Sequence, residues 1–208
     1  MKLYHFPHSP NTRKVLAVIH YLELDTELEM VNLRTGEQMK AEFIQLNPNH
    51  KIPTLEDGDF VLWESNAIMQ YLASRKPSNK LWPSDPKVQA DISRWQCWQL
   101  AHWGTACDTL TYERMVKKIT GEGDPDPAEI AKGEENFHLF AAVLNQHLKG
   151  HRWIVGNDVT LADFSVGAPL TYTEAAQFPI ESYGEIRRWY DGLEKLDAWK
   201  KTEPPAMP

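Results

Sequence analysis

Residues 47–72 read NPNHKIPTLEDGDFVLWESNAIMQYL, and the rest of the chain is arranged around this stretch. It reads as a loop, a strand, a tight turn, a return strand and the start of a helix. Ile52-Pro53 lies just before the first short strand, Thr54 to Glu56. A proline donates nothing to a sheet ladder, so it is tolerated at the first residue of a strand and not inside one. An X-Pro bond in that place is also free to be cis. Asp57-Gly58 is the type of pair that closes a two-residue hairpin, because both positions tolerate positive φ. Phe60 to Trp63 is then the return strand. Beyond Glu64-Ser65-Asn66, the residues Ala67, Ile68, Tyr71 and Leu72 share one helical face. Ser65 is the expected N-cap of that helix.

Upstream, Lys2 to Phe6 is an apolar-rich strand broken by Pro7-His8-Ser9-Pro10. A helix follows from Pro10 to Leu22, with Val15, Leu16, Ile19 and Leu22 spaced for burial. Ser9 before the first turn and Pro10 in it are ordinary helix-start chemistry. Glu27 to Leu33 reads as a second strand, its apolar Leu28, Val31 and Leu33 alternating imperfectly. Thr35-Gly36-Glu37-Gln38 has the spacing of a capping box and predicts a short helix to Leu46. With the hairpin and a helix from Ser65 to Arg75, the element order is βαβαββα. Parallel crossovers come first and an antiparallel hairpin last, as in a thioredoxin-like layer of one four-stranded sheet with helices packed on it.

Downstream the composition changes. Pro77, Pro83 and Pro86, with Ser78, Asn79, Ser84 and Asp85, mark a linker. Everything after it reads helical. Val88, Ile92, Trp95, Leu100, Trp103 and Leu110 keep a helical rhythm from Lys87 to Ile119. A second helix spans Pro127 to Leu148, with Phe137, Phe140, Ala141, Leu144 and Leu148 inward. Trp153 to Gly156 is a short buried crossing. Thr160-Leu161-Ala162-Asp163 opens a helix to Leu170, and a last helix covers Tyr183 to Leu196. The tail from Glu203 to Pro208 is expected to lack regular structure. The expected fold class is therefore α/β plus all-α: a thioredoxin-like domain over 1–76, a linker over 77–86 and an all-α domain over 87–208.

The totals narrow the function. A net charge of −7 and a pI near 5.6 argue against a nucleic-acid surface. The global field repels anions, so any anion site must be local. Cys97 and Cys107 form no CxxC and no disulfide framework, and read as buried apolar residues. No run of 18 apolar residues is present, and the start MKLYHFPHSP has no signal-peptide core. No membrane span and a cytoplasmic location are therefore expected. No H-x-x-x-H pair falls on one predicted helix, so no metal is expected.

A proline-led hairpin followed by Glu64-Ser65 at a helix start resembles the glutathione-binding half of the cytosolic glutathione S-transferases. The thioredoxin-like order, the proline linker and the helical second half extend that likeness over roughly the whole chain. Thr160-x-Ala162-Asp163 resembles the family's capping box in the helical domain. Ser9-Pro10-Asn11-Thr12-Arg13 is similar to the serine-type theta and delta classes, with the proline one place early and Thr12 in place of a common cysteine. It also resembles the Thr-Pro-Asn run of the nu class. The likeness implies that Ser9 or Asn11 stabilises the sulfur of glutathione.

The physical demand is clear. A cysteine-type thiol has a pKa of about 8.5, and its thiolate is the nucleophile. A hydroxyl donating to sulfur at a helix N-terminus favours the anion. Ser9 alone reads equally well as a plain cap. The resemblance further implies Glu64 for the γ-glutamyl ammonium and Ser65 for the γ-glutamyl carboxylate. It implies the backbone of Ile52, set by Pro53, for the cysteinyl strand, and His50 with Lys51 for the glycyl carboxylate. Gln38 falls where the family often has a basic residue, and Asn66 replaces a frequent arginine. Tyr4, inside the first strand, reads as core, and Arg13 as a buttress of the first helix. A small hydrophobic electrophile is expected between the domains along the long helix, with Trp103, Cys107, Leu110 and Met115 as candidate lining. The same four residues read equally well as a helical core stripe.

The implied activity is a homodimeric transferase that adds glutathione to electrophiles, with glutathione as co-substrate and no other cofactor. Two alternatives remain open. One is a peroxidase or disulfide reductase using the same thiolate. The other is a ligand carrier or interaction module without catalysis.

Overall fold

The structure is a computed structural model, and it describes residues 1–206. The chain divides into two compact units. The first runs from Met1 to Pro83 and regains the chain from Glu194 onward, and the second covers Ser84–Leu193. The division falls inside the expected linker. The C-terminal residues from Glu194, assigned from sequence to the helical domain, instead pack with the first unit.

In the first unit the strands are β1 (Lys2–His5), β2 (Glu27–Met30), β3 (Thr54–Asp57) and β4 (Phe60–Trp63), in the order β2-β1-β3-β4. β1 pairs with β2 in parallel, whereas β3 is antiparallel to both β1 and β4. The helices are α1 (Pro10–Leu22), α2 (Ala41–Leu46) and α3 (Ser65–Ser74). This is the expected βαβαββα layer. Leu3, Val15, Val18, Leu55, Ile68 and Leu72 are fully buried between sheet and helices. Each such side chain contributes about 1.5–3 kcal/mol on burial.

Three local expectations shift. β3 runs one residue further, to Asp57, which pairs with Phe60, so the two loop residues are Gly58 and Asp59. Gly58 takes the positive φ, 65°, which a side chain would resist. The Thr35–Gln38 box does not form. Asn32 caps a 3₁₀ turn through Arg34 N at 3.0 Å, and Glu37 accepts from Asn32 N at 2.7 Å. α2 starts after Lys40 without a side-chain cap. Finally, Ser65 is the first helical residue, and Glu64 stands at the N-cap with φ of 70°.

The returning C-terminus is held by Arg13. α10 (Asp197–Lys200) carries Trp199, whose ring lies 4.3 Å under the Arg13 guanidinium. Arg13 Nε also donates to Thr202 Oγ1 at 3.3 Å. The tail is irregular from Glu203 to Ala206, and Met207 and Pro208 lie outside the described residues.

The second unit is helical. One long run contains α4 (Pro86–Trp98), a π-segment (Gln99–Trp103), α5 (Gly104–Thr111), a second π-segment (Tyr112–Val116) and α6 (Lys117–Thr120). α7 (Pro127–His147), capped by Asp126, packs on α5, and Gly133 lets Leu110 approach closely. α8 (Leu161–Gly167) and α9 (Gly184–Glu194) complete the unit.

The expected capping box at Thr160 closes, with Asp163 accepting from Thr160 N at 2.8 Å. Asp163 is fully buried and also accepts from Ile154 N and Trp189 Nε1, each at 2.9 Å. Burial carries this carboxyl from its ordinary 3.8 up to about 6, despite those donors.

Candidate functional site

The site is built at the N-terminal ends of α1 and α3. Ser9 caps α1 from an extended backbone, and its Oγ accepts from Thr12 N at 3.3 Å. That bond occupies a lone pair and leaves the hydroxyl proton to donate. Pro10 fills the first helical position. Asn11, one residue on, is exposed, and its Oδ1 accepts from Ser65 Oγ at 3.3 Å. Ser9, Asn11 and Ser65, spread over 57 positions, are thus brought to one place with Glu64 beside them. Unsatisfied backbone N–H groups and the aligned peptide dipoles make each helix start favourable for negative charge.

The loop before β3 supplies the remaining residues. Asn47 is buried, and its Nδ2 donates to Lys51 O at 2.8 Å and to Thr54 Oγ1 at 3.1 Å. Its Oδ1 accepts from Asn49 N at 3.0 Å. Asn47 therefore fixes the course of the chain through His50, Lys51 and Ile52. Nothing in the sequence reading singled it out. The signal was present, since asparagine closes local turns onto nearby backbone.

His50 adopts φ of 57°, and its Nδ1 is buried with no hydrogen-bond partner. Lys51 is exposed, Ile52 half-buried and Pro53 buried, and the Ile52–Pro53 bond is cis. Gln38 Oε1 is likewise buried without a partner. The same holds for His5 Nδ1, Thr26 Oγ1 and Trp95 Nε1, so burial without a partner does not by itself mark a ligand site.

Tyr4 is only partly core. Its ring meets Phe43 of α2 edge-on at 6.0 Å, and its hydroxyl donates to Glu56 at 2.8 Å. Burial first, then that carboxylate, pushes the phenol up to about 12.

The four residues expected to line an electrophile pocket fare differently. Trp103, Cys107 and Leu110 are fully buried inside the helical unit. Trp103 donates to Val166 O at 3.0 Å and meets the Phe137 ring at 4.9 Å. These three are core, as the spacing of an inward stripe also allowed. Met115, in the second π-segment, keeps part of its surface. Cys97 is exposed, against the expectation of a buried thiol. Among the described residues no group of three or more His, Cys, Asp or Glu side chains is placed to hold a metal ion. No helix among them is long and apolar enough to cross a membrane.

The first unit is thus a thioredoxin-like layer with a cis-proline loop, and the second is all-helical. The comparisons agree. The glutathione S-transferase N-terminal domain matches residues 1–74, and the glutathione S-transferase C-terminal domain matches residues 127–199. Glutathione S-transferase D7 of Drosophila melanogaster is 32% identical over 199 residues, spanning 94% of this chain and 85% of that protein. Glutathione S-transferase D7 of Anopheles gambiae is 34% identical over 192 residues, spanning 90% and 83%. A delta-class glutathione transferase of Nilaparvata lugens superposes with a TM-score of 0.85 at 28% identity, covering 97% of this chain and 92% of that one. The chain belongs to the glutathione S-transferase family.

Proposed function

We propose that this protein is a glutathione transferase that holds glutathione as its thiolate at the start of α1 and adds it to small hydrophobic electrophiles. The observation that carries the reading is the junction of Ser9, Asn11 and Ser65, where a cap hydroxyl with a proton to donate stands beside a second helix start.

The ligand chemistry fits these residues. Ser65 and the first turn of α3 receive the γ-glutamyl carboxylate, and Glu64 its ammonium. The cysteinyl backbone pairs with Ile52 as an added strand. His50, with its orphaned Nδ1, and Lys51 receive the glycyl carboxylate. The thiol proton leaves to solvent, and the sulfur is stabilised by the Ser9 hydroxyl, with the Asn11 amide as second partner. The thiolate then forms the S–C bond while a leaving group departs with its electron pair, or adds to a conjugated double bond. A charge-assisted hydrogen bond of about 1.5–3 kcal/mol lowers the thiol pKa by about one to two units. Glutathione is the co-substrate, and no further cofactor takes part.

The same reading includes a cytoplasmic detoxifying role and a homodimer. What supports self-association is exposed apolar surface. Phe60 and Trp63 on β4 are 45% and 41% exposed. Arg94, Trp95, Trp98, Val143 and His147 line a hollow of about 290 Å³ on the helical unit. A sedimentation run showing a concentration-independent monomer would remove the dimer.

The activity is tested by retention on immobilised glutathione and by three assays: an aryl halide, a hydroperoxide and a disulfide. Retention with aryl-halide conjugation supports the transferase. Retention with turnover of only the peroxide or disulfide replaces it with the reductive alternative. Failure to bind glutathione leaves the non-catalytic carrier.

A further inference from the structure

β2 forms one edge of the sheet, with β1 on its inner side. Glu27 N donates to Met1 O at 3.0 Å, and Val31 N to His5 O at 2.8 Å. Alternate residues of a parallel ladder bond to the same neighbour, so Glu27, Glu29 and Val31 turn their backbone groups to β1. Leu28 and Met30 turn theirs outward. Among the described residues no loop or helix bonds to those outward groups. Their side chains are open as well, Leu28 at 46% and Met30 at 55% exposure. An edge of this kind is a template for one more strand.

The charge on the edge selects the strand. Residues 15–33 hold Glu23, Asp25, Glu27 and Glu29 and no Lys or Arg. Across the ladder one cation serves two of these carboxylates: Lys2 Nζ lies 3.3 Å from Glu27 and 2.9 Å from Glu29. Glu27 and Glu29 alternate with Leu28 and Met30, so β2 presents acid on one face and apolar surface on the other. Beside it is a hollow of about 300 Å³, with Tyr4, Glu29, Glu37, Lys40, Glu42 and Phe43 in its walls. Lys40 is paired with Glu37 at 3.2 Å, which leaves carboxylates in excess beside two aromatic rings. A second copy laid antiparallel would set Glu27 and Glu29 against glutamates. Like charges directly opposite are unfavourable, and opposite charges favourable.

We propose that the β2 edge docks an extended segment of a partner protein in which Lys or Arg alternates with apolar residues. The segment adds a fifth strand to the sheet. Its backbone bonds to Leu28 and Met30, and its apolar side chains cover those two residues. Its cations meet Glu27 and Glu29, one of them reaching into the hollow toward Glu42. The inference does not depend on how glutathione is held.

The experiment titrates the full chain with a blocked heptapeptide of alternating lysine and valine, by calorimetry and by backbone amide exchange. Wild type is expected to bind it, with exchange at Leu28 and Met30 slowed on binding. Methylating the valine nitrogens removes the donors that face β2 and is expected to weaken binding about tenfold or more. The double variant Glu27→Gln, Glu29→Gln is expected to weaken it about tenfold, and a glutamate–valine peptide is expected not to bind. Absence of binding, equal binding of the methylated peptide, or unchanged exchange at Leu28 and Met30 overturns the proposal. So does equal affinity for lysine amide alone, which reduces the hollow to a small-cation site. Concentration-dependent protection of Leu28 and Met30 in the free protein overturns it too, by assigning the edge to a second copy. The methylated peptide and the exchange readout use wild type, so they decide even if the double variant does not fold.

Discussion

Asp163 offers the best-defined test of the helical unit. Its two oxygens divide the work. Oδ1 accepts from Ile154 N and Trp189 Nε1, and Oδ2 accepts from Thr160 N and Thr160 Oγ1. Burial outweighs these donors and raises the carboxyl to about 6 from 3.8, a difference corresponding to about 3 kcal/mol at neutral pH. Asp163→Ala orphans the N–H groups of Ile154, Thr160 and Trp189, each at about 1–3 kcal/mol. Relief of the desolvation offsets part of this, so the net loss is about 3 kcal/mol.

Asp163→Asn keeps an oxygen at Oδ1 and orphans only Thr160 N. Its loss and its relief nearly cancel, which leaves it within about 1 kcal/mol of wild type at pH 7. The pH dependence has a definite sign. The folded protein holds this proton more tightly than the unfolded chain. The stability it contributes is therefore fully present below pH about 4 and is lost as pH rises through about 6. Wild type should gain about 2 kcal/mol on Asp163→Asn between pH 7 and pH 4.5. Urea unfolding of the three proteins at both pH values checks this. Equal losses for Ala and Asn, or a pH-independent gap between wild type and Asn, refute the reasoning.

Three further outcomes follow from the packing and the site. A Cβ at Gly167 would come within 2.4 Å of Leu193 Cδ2, with Trp189 and Tyr190 close behind. Gly167→Ala should cost about 1–3 kcal/mol by overpacking, and adding Leu193→Ala should recover part of the loss in the same unfolding measurement. In a thiol titration of the native protein, Cys97 should react at once. Cys107 should wait for denaturant, since it is buried and its thiol is pushed up by burial and then by Asp108. Glu64→Gln should weaken glutathione binding about tenfold in calorimetry, while a peptide without the γ-glutamyl amine should be unaffected by the change.

The parts of this molecule written in local chemistry were legible from the residues. Ser9-Pro10 announces a helix start because cap and first turn lie within four positions. Thr160 and Asp163 do the same for α8, and Pro53 marks the start of β3. What depended on distant partners was not legible. The hairpin turn was misplaced by one residue because ladder register, and not the Asp-Gly pair, decides which residues are left over. Ser65 looked like a cap, but Glu64 takes that position and frees the serine hydroxyl for Asn11. Trp103, Cys107 and Leu110 were ambiguous because a pocket wall and a core face share one helical period. The return of the C-terminus to the first unit rests on Arg13 meeting Trp199, a pairing across the whole chain. The Lys14–Asn66 bond spans 52 positions, and nothing near Lys14 hints at it.

The central claim is that the Ser9 hydroxyl holds the sulfur of bound glutathione as an anion. The most direct measurement is a spectrophotometric titration of the thiolate in the binary complex, for wild type and for Ser9→Ala at saturating glutathione. The account predicts a bound thiol pKa near 7 for wild type, raised by about one to two units in the variant. A titration curve identical in the two proteins, with glutathione bound in both, contradicts it.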